Sequence, residues 1–402
     1  MTTSILYHVF RIRGYDLTRT RFQGGSAQFG IEPQRLRCSG CGSYDVIRRG
    51  SRLRSWRHLP VGTVPTSLEM SVPRVACQRC HAVRQVEVGF AEPHKSYSKA
   101  FARFVLDLYA HMTIDAIARY LKIGWHLIKE IVKADLGRRY ADPLRHSPRL
   151  RRIAIDEIAV RKGHRYLTIV LDLDRGAVVF VGEGKGADAL QPFFQRLGAR
   201  RCRQIEAVAT DLSAAYQLAV HMNLPQATLV CDRFHVVKLL NDKLTELRRD
   251  LYREAHDRQK KVLKGVRWLL LKREHNLDDS RNERQRLRAA LELNEPLATA
   301  YYLKEELDLF WNQPDKHAAQ LFLTDWIARA EASGIRALRT FARTLAIHRN
   351  QMLAWYDHPI STGPLEGINN KIKTLKRQAY GYRDLEFYRL RIYALHEDPL
   401  RR

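Results

Sequence analysis

Arg152-Ile-Ala-Ile-Asp-Glu-Ile-Ala-Val160 is the stretch that decides the fold. It is apolar and β-branched, the composition of a buried strand. Yet Asp156 and Glu157 stand in its middle. Acids inside such a strand cost free energy unless they are paired or hold a cation. Outward from it, Arg165-Tyr-Leu-Thr-Ile-Val-Leu-Asp-Leu-Asp174 predicts a second strand, Asp174-Arg175-Gly176 a turn, and Ala177-Val-Val-Phe-Val181 a third strand. Three strands joined by short turns make a meander. A helix from Asp188 to Leu197 then leads to a fourth strand, Glu206-Ala-Val-Ala-Thr-Asp211, and to a helix over Leu212–Met222. A fifth strand, Ala227-Thr-Leu-Val-Cys-Asp232, precedes a further helix.

Acids in the middle of a first strand and at the end of a fourth meet if those strands lie side by side, which makes Asp156 and Asp211 a candidate pair. This resembles the ribonuclease H-like fold, whose polynucleotidyl transferases hold two magnesium ions with such carboxylates; oxygen ligands suit that ion. Alternatives stay open. Side-chain alternation sends one of Asp156 and Glu157 to the site without choosing between them. Asp232 competes with Asp211, and an Asp at a strand end also serves turns and caps.

A third acid comes from Ser361-Thr-Gly-Pro-Leu-Glu-Gly-Ile-Asn-Asn-Lys-Ile-Lys373. Pro364 suits the first turn of a helix, with Thr362 or Ser361 as cap. Leu365, Ile368, Ile372 and Leu375 fall on one face. Glu366, Asn369, Asn370, Lys373 and Arg377 fall on the other, as a helix lying between metal ions and a DNA backbone needs. A solvated helix face is the plain alternative.

Charge sets the partner class. Lys and Arg total 69 against 43 Asp and Glu, a net charge of +26, which attracts polyanions, nucleic acid above all. A ribosome-associated role shares that charge. No apolar run is long enough to span a bilayer, and the N-terminus lacks a signal peptide's apolar core, so a cytoplasmic protein with no membrane partner is expected.

Cys38-Ser-Gly-Cys41 and Cys77-Gln-Arg-Cys80 each place two thiolates at a tight turn, helped by Gly40 and Gly42. Four thiolates close a tetrahedral zinc site that is structural, with no open position for chemistry. A redox pair is the alternative, and His81 is read as a bystander. Between the pairs there is room for a hairpin carrying Arg48, Arg49, Arg52, Arg54 and Arg57. Further on, residues 113–134 fit a helix-turn-helix packed through Ile117, Leu121, Ile123, Leu127, Ile128 and Ile131. Its second helix offers Trp125, His126, Lys129 and Lys133 to a DNA major groove. A plain helical hairpin competes with this reading, because Lys122 stands where a turn glycine is usual.

Taken together, the chain resembles, nearly end to end, the insertion-sequence DDE transposases of the L-three family. The residues that carry this are the paired cysteines, Ile155-Asp-Glu157, Arg161-Lys-Gly-His-Arg-Tyr166, Thr210-Asp-Leu-Ser213, Cys231-Asp-Arg-Phe-His-Val236, Val266-Arg-Trp-Leu-Leu-Leu-Lys272, Tyr302-Leu-Lys-Glu305, Leu365–Lys373 and Lys376-Arg-Gln-Ala-Tyr-Gly-Tyr-Arg383. Thr362 departs from the family's usual Asn. The resemblance implies a multidomain α/β protein. Its parts are a zinc-ribbon DNA-binding domain (1–95), a helix-turn-helix (96–145), a ribonuclease H-like mixed sheet (150–235 and 356–395) and an all-helical insertion (236–355); Arg145-His-Ser-Pro-Arg149, polar and Pro-containing between a helical and a strand pattern, reads by itself as a linker. The resemblance implies Asp156, Asp211 and Glu366 as catalytic ligands of two magnesium ions, with Asp232 and His235 supporting them. Asn370, Lys373 and Arg377 are expected on DNA, with basic helices at Lys243–Lys264 and Arg281–Arg288. Trp268 either stacks on a DNA base or, beside three leucines, joins the core. The implied partners are double-stranded DNA, both element ends and target, and a second copy of the chain or more. The implied place is the bacterial nucleoid. A non-catalytic regulator and a nuclease without strand joining remain alternatives.

Overall fold

The computed structural model describes residues 5–161 and 165–396, so Lys162-Gly-His164 of the Arg161–Tyr166 motif lies outside the described residues. Contacts divide the chain into two compact units that meet in sequence between Arg139 and Tyr140.

The first unit opens with α1 (Ile5–His8), followed by β1 (Tyr15–Gln23), β2 (Ser26–Pro33), β3 (Val46–Val61), β4 (Val64–Cys77) and β5 (Val83–Gln85). The strands run in the order β1-β2-β4-β3, with β5 on β4. The expected arginine hairpin is β3 and β4, antiparallel, with Trp56 facing Leu68 and Val46 facing Cys77. Phe10, Phe29, Trp56, Leu68, Met70 and Phe90 form its core. Then come α2 (Lys99–Tyr109), α3 (Ile114–Leu121) and α4 (Trp125–Arg139). Thr113 caps α3 by accepting from the Ala116 N–H at 3.1 Å. Lys122 takes the left-handed turn position itself, at φ 52°, and the Ile123 N–H closes the helix end on the Ala118 carbonyl. Ile117, Leu121, Ile128 and Ile131 are buried as expected.

The second unit carries β6 (Arg152–Arg161), β7 (Arg165–Asp172), β8 (Ala177–Glu183), α5 (Ala187–Cys202), β9 (Ala207–Thr210), α6 (Ala214–Asn223) and β10 (Thr228–Cys231). Its sheet order is β10-β9-β6-β7-β8. The meander β6-β7-β8 is antiparallel, and β9 and β10 add to the other side of β6 in parallel. This is the mixed ribonuclease H-like sheet. Ile153 and Ile155 of β6 join Phe193 of α5 and Tyr216 of α6 in one core. The segment expected as a linker is not free: Leu144 and Leu150 enter that core, Ser147 is buried, and Arg201 donates to the Ser147 carbonyl at 2.6 Å. Its polar letters hid a docked turn, because two flanking leucines outweigh them.

A long helical stretch follows: α7 (Arg233–Glu254), α8 (Asp257–Gly265), α9 (Glu283–Glu292), α10 (Glu295–Leu307), α11 (Lys316–Ala332), α12 (Arg336–Ile347) and α13 (Arg349–Leu353). Leu240, Leu303, Phe310, Trp326 and Phe341 are among its buried residues. The chain then returns through α14 (Gly363–Gln378) and α15 (Leu385–Tyr393). Trp268 is not core: it is 64% exposed while Leu269 and Leu270 are buried, and Arg267 lies over its ring. No helix among the described residues is long and apolar enough to cross a membrane.

One close approach fixes the sheet against α5. A Cβ added at Gly182 would meet the Ala189 carbonyl oxygen at 2.5 Å and the Phe180 ring at 2.8 Å. Gly182→Ala is therefore expected to lower stability by about 1–3 kcal/mol. Thermal unfolding of the purified variant checks this, and an unchanged Tm would show that α5 shifts freely.

Candidate functional site

The cysteines come together. Cys38 Sγ lies 3.7 Å from Cys80 Sγ, and Cys41 Sγ lies 3.5 Å from Cys77 Sγ. All four sulfurs lie within 4.8 Å of one another. Each pair sits on a knuckle of the same design, with the Gly42 N–H returning to the Cys38 carbonyl and the His81 N–H to the Cys77 carbonyl. Gly42 and His81 are both left-handed, so His81 has a turn role rather than a ligand role. The N–H groups of Cys41 and Gly40 aimed at Cys38 pull its thiol down to about 6. Four sulfurs gathered on two matching knuckles fit a structural zinc.

On α4, Trp125 and His126 are exposed and stack at 4.5 Å. Lys129 and Lys133, expected to be exposed, are half-buried, and the Lys129 ammonium lies 5.7 Å from the Trp125 ring.

The acids are arranged by register. Ile155 pairs with Thr210 and Thr210 with Cys231, in adjacent parallel strands. The next residues along, Asp156, Asp211 and Asp232, therefore stand in a row on β6, after β9 and after β10. Side-chain alternation separates Asp156 from Glu157. Glu157 accepts from the Tyr216 hydroxyl at 3.1 Å, on the α6 side of the sheet. Asp156 accepts from Asn369 Nδ2 at 2.8 Å, on the α14 side. Glu366 lies one turn before Asn369 on α14 and is exposed.

Asp211 Oδ1 also accepts from the Ser213 N–H at 3.0 Å, so it makes a turn bond as well. Asp232 is 1% exposed. One of its oxygens accepts from the Thr362 N–H at 2.9 Å, which ties the end of β10 to the start of α14. Its other oxygen is buried with no hydrogen-bond partner among the described residues. Burial, with Asp211 and Glu157 adding to it, raises the Asp156 carboxyl above its ordinary range, against the Glu157 N–H and His235, which lower it. His235, in the first turn of α7, thus acts on the same group.

Crowded, partly buried carboxylates with one unsatisfied oxygen fit a divalent cation by donor chemistry. The three expected ligands do not, however, form a group with all oxygens within 4.8 Å of one another; among the described residues the cysteines are the group that does. Sequence reasoning missed Asn369. It is 5% exposed rather than on the open polar face, and it is the side chain that joins α14 to Asp156.

Residues 153–392 match a family model described as transposase. Residues 34–80 match the zinc finger of the transposases of IS204, IS1001, IS1096 and IS1165. Residues 86–135 match the helix-turn-helix domain of transposase family ISL3. The chain is 34% identical over 366 residues to the transposase for insertion sequence element IS1001 of Bordetella parapertussis, covering 89% of this chain and 88% of that one. It is 33% identical over 379 residues to the transposase for insertion sequence element IS1557 of Mycobacterium tuberculosis, covering 86% and 82%.

Proposed function

The chain belongs to the ISL3 family of insertion-sequence transposases, and from that premise we propose that it binds the inverted-repeat ends of its element, cleaves them with magnesium and joins them to target DNA. The observation that carries this reading is the register of Asp156 beside Asp211, with Asn369 of the Glu366 helix bonded to Asp156. Asp156, Asp211 and Glu366 are the residues that would hold magnesium. When bound, the metal supplies the charge that activates an attacking oxygen and stabilises a leaving one. Asn369 holds the Asp156 carboxylate in one orientation. Asp232 fixes the first turn of α14 and so the position of Glu366, while His235 offsets the negative charge on Asp156. Asn370, Lys373 and Arg377 are exposed on α14 and contact the DNA backbone. The four-cysteine zinc ribbon and the helix with Trp125, His126, Lys129 and Lys133 read the ends. Two copies act together, one per end, on chromosomal DNA in the cytoplasm.

The test is strand joining. Purified protein is mixed with a duplex taken from the sequence flanking its gene, a supercoiled plasmid and magnesium. The expected product is end DNA covalently joined to plasmid through its 3′ strand, absent when magnesium is chelated. Nicking without joining would favour a nuclease; binding without nicking would favour a regulator. Either result overturns the proposal.

A further inference from the structure

The run Lys376-Arg-Gln-Ala-Tyr-Gly-Tyr-Arg383 is one of the stretches that carry the sequence likeness, yet beyond Arg377 it has no part in the site described above. α14 ends inside it. Its last turn closes with the Gly381 N–H on the Lys376 carbonyl and the Tyr380 N–H on the Arg377 carbonyl, both at 3.0 Å. This closure forces Tyr380 into the left-handed region, at φ 50°. Glycine is the usual residue at that position, because a side chain there crowds the backbone.

The fold gains nothing from the ring in return. Tyr380 is fully exposed. Two residues on, Tyr382 behaves differently and stacks on Tyr388 with centroids 4.4 Å apart. Asp384 then caps α15 by accepting from the Phe387 N–H at 2.9 Å. The loop is thus pinned on its far side while Tyr380 is held out into solvent on a strained backbone. Strain retained at an exposed aromatic points to a use outside the fold.

Its neighbours indicate the use. Glu366, Asn370, Lys373 and Arg377 are all exposed and recur every three or four residues, one stripe along α14. Tyr380 extends that stripe by one more such step, about 21 Å along the helix from Glu366. Arg377 stands three residues before Tyr380 and Arg383 three after it, and both are exposed. Cations beside an exposed aromatic are the pattern that holds phosphates while the ring takes a base. Bases inside a duplex have both faces covered. Cleavage at an element end leaves terminal bases with an open face.

We propose that Tyr380 stacks on an unpaired base at the processed DNA end, an inference that rests on the transposition reading above. Glycine at this position separates the proposal from a structural role. Y380G relieves the backbone, so a purely structural tyrosine gives a variant with higher Tm and unchanged DNA handling. Stacking gives higher Tm together with about ten-fold weaker affinity for a flanking-sequence duplex that ends in a short single-stranded overhang. The salt dependence of binding stays the same, because no charge is lost. Y380F keeps both affinity and stacking. A 2-aminopurine in the overhang is quenched by the wild-type protein and Y380F, and not by Y380G. Equal affinity and equal quenching in Y380G overturn the proposal. Binding is read without magnesium, so it does not depend on cleavage. Wild-type strand joining with an indifferent Y380G sinks the stacking role alone. Wild-type binding and quenching with no joining sinks the transposition reading alone.

Discussion

Asp156→Ala loses DNA cleavage by about three orders of magnitude or more, while affinity for end DNA stays within about two-fold of the wild-type protein. The expectation follows from where the side chain sits. Asp156 is held by a side chain of α14, Asn369, and it senses Asp211 and His235. Removing it takes away a proposed magnesium ligand and also leaves the buried Asn369 amide without its acceptor, at a cost of about 1–3 kcal/mol in stability. Asp156→Asn is therefore the companion variant, since it keeps the volume and removes only the charge. Neither change removes a cation from the α14 stripe proposed to face DNA, so binding is expected to persist. Cleavage assays on both variants, with binding measured alongside, check this. A near-normal rate in Asp156→Asn would remove Asp156 from the chemistry and return Glu157 to consideration. That alternative has little geometric support, because Glu157 is engaged by Tyr216 across the sheet.

The choice between Asp156 and Glu157 shows what the sequence could and could not tell. Alternation along a strand says that two neighbours face opposite sides. It does not say which side a helix more than two hundred residues away will cover. The five strands were legible because short β-branched runs bounded by Gly, Asp and polar turns have few other uses. Their side-by-side order was legible only as a possibility, and the parallel register of β6, β9 and β10 made it definite. Asn369 was misread for a geometric reason. It lies at the border between the buried Leu365–Ile368–Ile372 face and the Glu366 stripe, where helical periodicity alone cannot assign a side. Trp268 escaped for another reason. α8 ends at Gly265, and the three leucines form a single tight turn rather than a continuing helix. The periodicity that would carry Trp268 inward is broken, and only Leu269 and Leu270 turn in. The hairpin and its cysteines were readable because paired thiols at such spacing have a narrow chemistry.

Replacing Cys77 and Cys80 with serine, or stripping the metal with a chelator, is expected to disorder one end of the β3–β4 hairpin and to cost end binding about ten-fold or more, while the rest of the first unit stays folded. The asymmetry comes from where apolar side chains lie. Around the Trp56–Leu68 pair the hairpin packs on Phe10, Phe29 and Phe90. At the other end, where Val46 faces Cys77, residues 47–53 of β3 are exposed along their length and include Arg48, Arg49 and Arg52. That β3 segment buries no side chain between residues 47 and 53 and is held through β4, whose other edge there carries only the three residues of β5, so it is marginal by itself. The four sulfurs that close its base supply the missing constraint when they bind zinc. Disorder there spreads the three arginines over many positions, so their attraction to phosphates is offset by the entropy of re-ordering them. Hydrogen exchange should show fast exchange over residues 46–51 and 73–77 in the metal-free protein, with the strand segment around Trp56 and Met70 still protected. Elemental analysis should give one zinc per native chain and none in the variant. Metal-free protein that binds end DNA as tightly as the native chain would show that the ribbon's cations work without the zinc, and the ordering argument would fail.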